Sequence, residues 1–388
     1  MKKLLKNKKV LISILFLYLM VLLFLLIYNY YLYILILLFF TIIIIILGYK
    51  ILFNISFINI DKLLKNWQYQ KYKKKFAKDE IYSQIMNVST FDKSNEFTHP
   101  SVLYFKNSFN GYKFWMVYTP YSNCRVELEN PCIAVSNDGI NFIPPKNVIN
   151  PLLPIIDNSN KEYIEYYNDP NLICVNDKLE LWYRLTTESL DKTRYQQKIF
   201  RMISSDGISW SSPELIIDDL TNSKNLISIS LLYRDNKYYL YYFNLDLKPT
   251  LITSINLKDW SQEKKISIKN YDGKYWHGEV KKINDNYKYL FVDNTYNLYI
   301  CSSVDGKNFD NIKKVKIICK SKNYLYFKNV LYKSSVVEDD KYYYIYVPFR
   351  YDKIKLFKTN DITYHKWVTT VTKIKKDKFN KILEEAER

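Results

Sequence analysis

Residues 274–283, KYWHGEVKKI, set a histidine and a glutamate two positions apart in a stretch that otherwise favours a β-strand. The chain has 388 residues and only three histidines, so the position of His277 is informative. From His277 onward the segment reads as a polar residue, a spacer, a second polar or small residue and then a strand-forming run. The same pattern opens four other segments: HPSVLYF at His99, DPNLICV at Asp169, SISLLYR at Ser228 and KSSVVED at Lys333. The sequence therefore contains five copies of one unit.

Each opening is followed by a strand dense in aromatic residues and then by a third strand that ends in a tight turn. The aromatic strands are YKFWMVYT, KLELWYRL, KYYLYYFN, YKYLFVDN and KYYYIYVP, and the turns include SNDGINF, SSDGISW and SVDGKNF. A unit of roughly 50 residues with three or four short strands is typical of a β-propeller blade. We therefore predict an all-β, five-bladed β-propeller over residues 91–375. A stacked solenoid is the alternative, and it would need shorter periods and parallel coils.

The first strand of each propeller blade lines the central channel. Side chains at positions i and i+2 of a strand point the same way, so the two polar positions of each opening should both face this channel. The predicted ring consists of His99 and Ser101, Asp169 and Asn171, Ser228 and Ser230, His277 and Glu279, and Lys333 and Ser335.

The repeated pattern resembles the five-bladed propeller glycosidases, the set that contains glycoside hydrolase families 43, 32 and 117. The resemblance is carried by NDP at Asp169, by the SSDGISW-type turns and by WHGEV around His277. It implies a carboxylate at the start of each of the first three blades, acting as base, orienting acid and proton donor. Asp169 matches the second of these positions, whereas His99 occupies the first and Ser228 and Ser230 occupy the third.

Four ring residues form the predicted catalytic group: Asp169, Glu279, His99 and His277. A carboxylate near like charge or in an apolar mouth has a raised pKa suited to proton donation, and histidine can exchange protons near neutral pH. The alternative is that these side chains are hydrated or structural, with Glu279 paired to Lys333 or Asp169 paired to a histidine.

Arginines and aromatic residues supply the predicted sugar contacts, because a guanidinium suits an acidic sugar and an aromatic face stacks on a sugar ring. The predicted substrate-binding residues are Arg184, Arg201, Arg350, Trp276, Lys333 and Tyr118, the last in an exposed YTPYS segment. Trp115 and Trp182 are predicted to fill the cores between blades, and His365 is predicted to lie on the surface.

The N-terminal residues 1–55 are predicted to form a membrane anchor of two helices, over about residues 10–28 and 32–53, with a turn at Asn29. Each apolar run has about the length that a bilayer-spanning helix needs. Lysines flank both runs and the turn has none, which places both ends in the cytoplasm. Residues 56–90 read as a basic juxtamembrane helix or linker and residues 376–388 as a charged C-terminal helix or tail. We therefore expect the propeller on the cytoplasmic side of a bacterial-type cell membrane, with the lipid bilayer as one partner.

The net charge and the cysteines indicate which other partners and cofactors to expect. The net charge of +18 could attract nucleic acid, but the lysines are scattered and no recognition motif occurs, so no nucleic-acid partner is predicted. The five cysteines form no CxxC pair, which argues against a disulfide framework and a zinc site. No glycine-rich phosphate loop follows a strand, and neither a cofactor nor a metal is predicted.

These observations predict a membrane-anchored, glycosidase-like protein whose partner is a carbohydrate, acidic polymers included. It would act on a surface or capsular polysaccharide or its precursor, by acid/base hydrolysis or transfer at the channel mouth. A non-catalytic glycan-binding or assembly scaffold, and a propeller used for protein–protein contact, are the alternatives.

Overall fold

A computed structural model of the chain describes residues 16–21, 23, 30–53, 81–159, 161–191, 193–221, 223–283, 285–319, 330–353 and 364–385. The chain divides into two compact units, Met1–Leu64 and Lys65–Arg388. The described part of the first unit is helical and includes α1, Tyr31–Phe53. The second unit holds every strand that the structure describes and a C-terminal helix, α2, Lys376–Glu385, in the segment where a helix or tail was predicted.

The predicted membrane anchor is not supported. Helix α1 coincides with the second predicted span, and residues 16–21 and 23, inside the first, are also helical. No helix within the described residues is both long and apolar enough to cross a bilayer. The turn predicted at Asn29 and residues 54–80, most of the predicted basic helix, lie outside the described residues.

The strands of the second unit form five sheets. In chain order they are β1 (Ile81–Ile85), β2 (Phe97–Phe109), β3 (Tyr112–Pro120), β4 (Cys132–Ser136), β5 (Tyr163–Val175), β6 (Lys178–Ser189), β7 (Tyr195–Ser204), β8 (Glu214–Asp219), β9 (Ile227–Arg234), β10 (Lys237–Phe243) and β11 (Pro249–Ser254). They continue with β12 (Lys264–Lys265), β13 (Ser267–Ile268), β14 (Tyr275–Ile283), β15 (Asn286–Asp293), β16 (Leu298–Ser303), β17 (Asn308–Val315), β18 (Ile317–Cys319), β19 (Val330–Leu331), β20 (Ser335–Glu338), β21 (Tyr342–Lys353) and β22 (Tyr364–Lys375). Short 3₁₀ turns, Ser122–Cys124 and Val126–Leu128, lie between β3 and β4.

Each sheet is one blade. Blade 1 contains β2–β4, blade 2 β5–β8, blade 3 β9–β12, blade 4 β13–β17, and blade 5 β18–β22 together with β1. The innermost strands β2, β5, β9, β14 and β20 each contact the next, and β20 contacts β2, so they close a ring around a channel. The predicted all-β fold with five blades is confirmed.

Blade 5 is completed by the strand from the start of the unit. Strand β1 pairs antiparallel with β22 and parallel with β18. It therefore lies in a sheet of the propeller, although residues 56–90 were predicted as a helix or linker, so the propeller includes residues before its predicted start at residue 91. In IYSQI, buried and exposed residues alternate as in a strand. The sequence analysis overlooked this pattern because the lysine cluster just before it indicated a basic helix.

The hydrophobic core consists of five clusters, each between two adjacent blades. Trp115 is buried between blades 1 and 2 and Trp182 between blades 2 and 3, as predicted. A blade has one apolar face on each side, so it is stable only when both neighbours cover it.

Three turns with a common geometry lie at the contacts between adjacent blades. In blade 2, Asp206 Oδ1 accepts hydrogen bonds from the backbone of Ile208 and Ser209, both at 2.8 Å, and Gly207 has a φ of 74°. The blade 1 and blade 4 turns repeat this arrangement around Asp138 and Asp305. Each turn glycine packs against an aromatic ring of the preceding blade: Gly139 against Tyr344 of blade 5, Gly207 against Trp115 of blade 1 and Gly306 against Tyr241 of blade 3.

Candidate functional site

Three inner strands bring His99, Asp169 and His277 to one point in the channel. His99 Nε2 lies 3.5 Å and His277 Nδ1 3.8 Å from Asp169 Oδ1. One potential ligand atom from each residue lies within 4.8 Å of the other two. All three side chains are buried. We call this group the histidine layer.

Irregular backbone positions these side chains. His99, Asp169 and the equivalent Ser228 of blade 3 have φ values of 52°, 50° and 57°, in the left-handed region that non-glycine residues rarely adopt. The ladders shift register at the same places, between Thr98 and Ser101 in β2 and between Asn168 and Asn171 in β5. Such conformations cost roughly 1–3 kcal/mol each and cluster at functional sites. The bulges turn His99 and Asp169 into the channel.

Asp169 is held by its neighbours through one oxygen. Arg184 Nη2 lies 2.9 Å from Asp169 Oδ2, and the backbone N–H of Ser228 donates to the same oxygen at 2.9 Å. Arg184 in turn donates to Asn168 at 2.7 Å and to Gln197 at 2.8 Å. Burial alone would raise the pKa of Asp169, but Arg184, followed by His99 and Lys333, holds it well below the usual range. The carboxylate is therefore ionised, with Oδ1 turned towards the two histidines.

Both histidines are neutral at neutral pH. Burial lowers the pKa of His99 to about 3 and lowers that of His277 well below its ordinary value, despite the opposing charge of Asp169. His99 Nδ1 lies 2.8 Å from Thr119 Oγ1, which leaves Nε2 facing Asp169. Neutral imidazole is the form that binds metal ions, and imidazole with carboxylate suits divalent transition metals.

A second carboxylate lies beside the histidine layer. Glu129, in the loop after the second 3₁₀ turn, is buried, and its Oε2 is 3.5 Å from His99 Nδ1. Burial, with the charge of Asp169, raises the pKa of Glu129 well above its ordinary value. Sequence reasoning missed this residue, because a glutamate in the irregular segment VELEN carries no periodic signal.

Glu279 lies in a different layer. Its Oε1 accepts hydrogen bonds from Ser101 Oγ at 2.6 Å and Asn171 Nδ2 at 3.0 Å, and Lys281 Nζ is 3.1 Å away. These positions are two residues further along each strand, and we call the group of Ser101, Asn171 and Glu279 the glutamate layer. The predicted ring is thus two stacked rings. Lys333 is buried and donates to the backbone carbonyls of Pro170 and Ile229, at 3.3 and 2.9 Å.

Aromatic rings cover the histidine layer. The ring centroid of Tyr332 lies 4.1 Å from that of His277 and 4.8 Å from that of His99. Tyr121 stacks on Tyr332 at 6.1 Å, and the edge of Trp276 meets His277 at 5.1 Å. Trp276 was predicted here. Tyr121 stands in the same YTPYS segment from which sequence reasoning selected Tyr118.

Several predicted contact residues lie elsewhere. Tyr118 is fully buried and donates to the carbonyl of Ser89 at 2.8 Å, so the prediction that it is exposed was wrong; on strand β3 its side chain faces the blade core. Arg201 pairs with Glu180 at 3.1 Å and Glu214 at 2.6 Å, at the edge of blade 2.

Arg184 contacts Asp169 from behind instead of offering a free guanidinium to a sugar. Arg350, on β21, pairs with Trp367 in the β21–β22 ladder, and its charge acts on Tyr121. His365 is half-buried, and its backbone N–H donates to Asn123 at 3.0 Å.

Comparison with known proteins supports the fold. No protein-family model matches the chain. A structure of an N-acetylgalactosamine deacetylase from F. plautii, in complex with blood group B trisaccharide, aligns with a TM-score of 0.62 at 15% identity, over 78% of this chain and 97% of that one. A Bombyx mori family 32 β-fructofuranosidase aligns with a TM-score of 0.50 at 12% identity, over 80% of this chain and 67% of that one. The resemblance to the propeller glycosidases is thus confirmed for the fold.

One curated protein is similar in sequence over a short region. The A type blood N-acetyl-alpha-D-galactosamine deacetylase of Flavonifractor plautii is 39% identical over 61 residues. The match covers 16% of this chain and only 8% of that protein. This chain is therefore locally similar to an enzyme that acts on carbohydrate.

Proposed function

We propose that this protein is a divalent-metal-dependent hydrolase that removes the acetyl group from an N-acetylated sugar of a glycan. The observation that carries the proposal is a convergence of buried polar atoms. His99 Nε2, Asp169 Oδ1 and both ring nitrogens of His277 have no hydrogen-bond partner among the described residues. Leaving such an atom unpaired costs roughly 1–3 kcal/mol. One atom from each of the three residues can be directed at a single cation, so His99, Asp169 and His277 would be its ligands.

In the proposed amide hydrolysis, different site residues would bind the metal, transfer the proton and contact the sugar. A divalent cation, when bound, supplies Lewis-acid chemistry of the kind that promotes attack of water on a carbonyl group. Glu129 lies beside His99, and burial raises its pKa, so it binds a proton more readily than an ordinary glutamate does. It would take a proton from the attacking water and return it to the leaving nitrogen as the C–N bond breaks, which yields acetate and the amino sugar. Tyr332 and Trp276 would face the sugar ring.

An N-acetylhexosamine is the proposed reacting sugar. The support is the local identity to the F. plautii deacetylase, together with a shared propeller fold. A surface or capsular polysaccharide or its precursor remains the proposed polymer. Attachment to a membrane, with the propeller in the cytoplasm, is likewise a proposal drawn from the sequence.

Glycosidic hydrolysis by acid and base is the second candidate. It is favoured by the presence of Asp169 and Glu279 in one channel and by the family 32 glycosidase that shares the fold. Against it, one oxygen of Asp169 is held by Arg184, and Glu279 lies in the other layer, hydrogen-bonded to Ser101 and Asn171. Neither carboxylate is placed to donate a proton beside the other, as two-carboxylate catalysis needs.

The test measures bound metal and released acetate in matched variants. We expect His277→Ala to abolish both metal binding and acetate release from N-acetylhexosamine substrates. Glu129→Gln should keep the metal and lower kcat by about 100-fold or more, because proton transfer contributes at least that much. His365→Ala is the control, since it removes the one histidine outside the site, and both measurements should stay unchanged.

Three outcomes would contradict the proposal. The first is a wild-type protein that binds no divalent metal, and the second is acetate release that survives His277→Ala. The third is cleavage of glycosidic bonds without release of acetate, which would select the second candidate. Glycan binding without either reaction would select the non-catalytic scaffold.

A further inference from the structure

The first two strands of blade 2 extend beyond the residues that form the histidine layer. These strands, β5 and β6, have 13 and 12 residues, whereas β9 and β10 of blade 3 have 8 and 7. The additional residues of β5 precede Asp169, and those of β6 follow Arg184. The extension therefore starts at the histidine layer and continues away from it.

One face of this extension forms a groove with a volume of about 760 Å³. Glu165, Thr187 and Gln196 form one row across its three strands, because they are direct partners in the ladders. Tyr163 lies at the end of β5 with 40% of its surface exposed. Ligand sites usually occupy about 300–1,000 Å³, so the groove has room for more than one sugar.

Glu165 links the groove to residues beside the histidine layer. This residue lines the groove and also a small cavity that Glu129 and Tyr166 line as well. Glu129 Oε2 is 3.5 Å from His99. The series His99, Glu129, Glu165 therefore runs from the histidine layer into the groove.

The polar groups in the groove are fixed before any ligand arrives. Glu165 accepts from Lys161 Nζ at 2.7 Å and from Thr187 Oγ1 at 3.2 Å. At the far end, Asp191 accepts from Ser189 at 2.6 Å and from Thr193 at 2.8 Å. Carboxylates held in this way can accept hydrogen bonds from sugar hydroxyls without a further ordering cost. An exposed tyrosine beside them offers a face for a sugar ring.

We propose that this groove binds the sugar units next to the reacting one, so that the substrate is an oligosaccharide or polysaccharide chain rather than a single sugar. The inference rests on the proposed function for the position of the reacting sugar. The charged residues that line the groove are of both signs: Glu162, Glu165, Asp191, Arg194 and Lys198. This balance fits an uncharged chain of hydroxyl and amide groups better than a polyanion.

The experiment compares N-acetylglucosamine oligomers of one to six units, with the full chain loaded with metal. Dissociation constants are measured by calorimetry, and acetate release gives kcat/KM for each length. We expect wild-type affinity and kcat/KM to rise by about tenfold or more from one unit to four, the effect of roughly 1.4 kcal/mol of added binding.

Two matched variants test whether the dependence on oligomer length arises in the groove. Thr187→Trp places a large ring in the middle of the groove, and we expect it to remove most of the length dependence. Thr253→Trp changes a half-buried threonine on β11 of blade 3, where no groove residue lies, and should retain it.

Measuring binding and turnover separately distinguishes a failure of the proposed deacetylation from a failure of the proposed groove. Longer oligomers that bind more tightly without any release of acetate would overturn the proposed function and leave this inference standing, provided that Thr187→Trp abolishes the gain. Equal binding and turnover of all lengths by the wild type would overturn the inference. A length dependence that survives Thr187→Trp would overturn it as well.

Discussion

The two oxygens of Asp169 have different surroundings, and this difference organises the site. Oδ2 receives Arg184 and the backbone N–H of Ser228, whereas Oδ1 faces two neutral histidines. A carboxylate with one oxygen fixed and the other open is oriented before a ligand arrives. Arg184 therefore acts as a positioning residue for Asp169, in place of the predicted contact to an acidic sugar.

The buried histidines predict how stability depends on pH in the metal-free protein. His99 has a pKa of about 3 in the folded state and about 6.5 when unfolded, so between these values the unfolded chain binds more protons. The contribution of each histidine to the free energy of unfolding then falls as the pH falls below about 6.5, by up to about 1.4 kcal/mol per pH unit. The pKa of His277 is shifted in the same direction. Glu129, whose pKa is raised, contributes in the opposite direction.

Urea unfolding of the EDTA-treated protein at pH 7, 6 and 5 measures this slope. His99→Gln should flatten it, because glutamine has no proton to gain, and His365→Gln should leave it as in the wild type. A slope that is the same in His99→Gln as in the wild type would show that the fold does not hold His99 neutral.

The site residues differ in how far the sequence could predict them. His99, Asp169 and His277 were found because they occupy the first polar position of repeated units. Their convergence as a candidate metal site was missed, because the three residues are separated by 70 and 108 positions along the chain and no short spacing records it. The separation of Glu279 into another layer was missed as well, since i and i+2 side chains share a face but differ in depth by two residues of rise.

At the scale of elements, the Asp-Gly turns of blades 1, 2 and 4 each contact the preceding blade. The turn aspartate of blade 2 fixes the loop, and the missing side chain of Gly207 makes room for the Trp115 ring of blade 1. A turn motif that sequence analysis used only to mark strand ends is thus an inter-blade contact.

Replacing this glycine tests the contact. Gly207→Ala introduces a methyl group in a left-handed conformation and against the ring of Trp115. We expect a loss of at least about 3 kcal/mol in the free energy of unfolding, since overpacking adds to backbone strain. Gly111→Ala is the control: its φ is 82°, but an added methyl would meet no atom within 4 Å, so it should cost about 1 kcal/mol. Equal losses in urea unfolding would show that the Trp115 contact contributes little.

At the scale of the whole molecule, the ring is closed by β1, the first described strand of the second unit. Ile81 is 1% exposed and packs in the core cluster between blades 4 and 5, whereas Tyr82 beside it is 42% exposed. The repeat pattern predicted the five blades, because each blade has its own copy of the pattern. It did not predict the closing strand, because β1 lies outside the repeat and has only five residues.

The closure can be tested on this one strand. Ile81→Asp buries a carboxylate in the cluster and should lower the free energy of unfolding by at least about 3 kcal/mol, in a single transition if the ring unfolds as a unit. Tyr82→Asp places the same charge one residue away in solvent and should cost less than about 1 kcal/mol. A small effect of Ile81→Asp in urea unfolding would mean that β1 contributes little to the closed ring.

The pairing of β1 with β22 also governs the order in which the protein can be completed during synthesis. Gln84 pairs with Val371 and Ile85 with Thr370, so β1 has no antiparallel partner until β22, almost 280 residues later, has been made. Until then one edge of β1 offers unpaired backbone groups to any other strand nearby. A strand exposed in this way can pair with a second copy of itself, and the risk is smaller the sooner β22 follows or the better a chaperone covers β1.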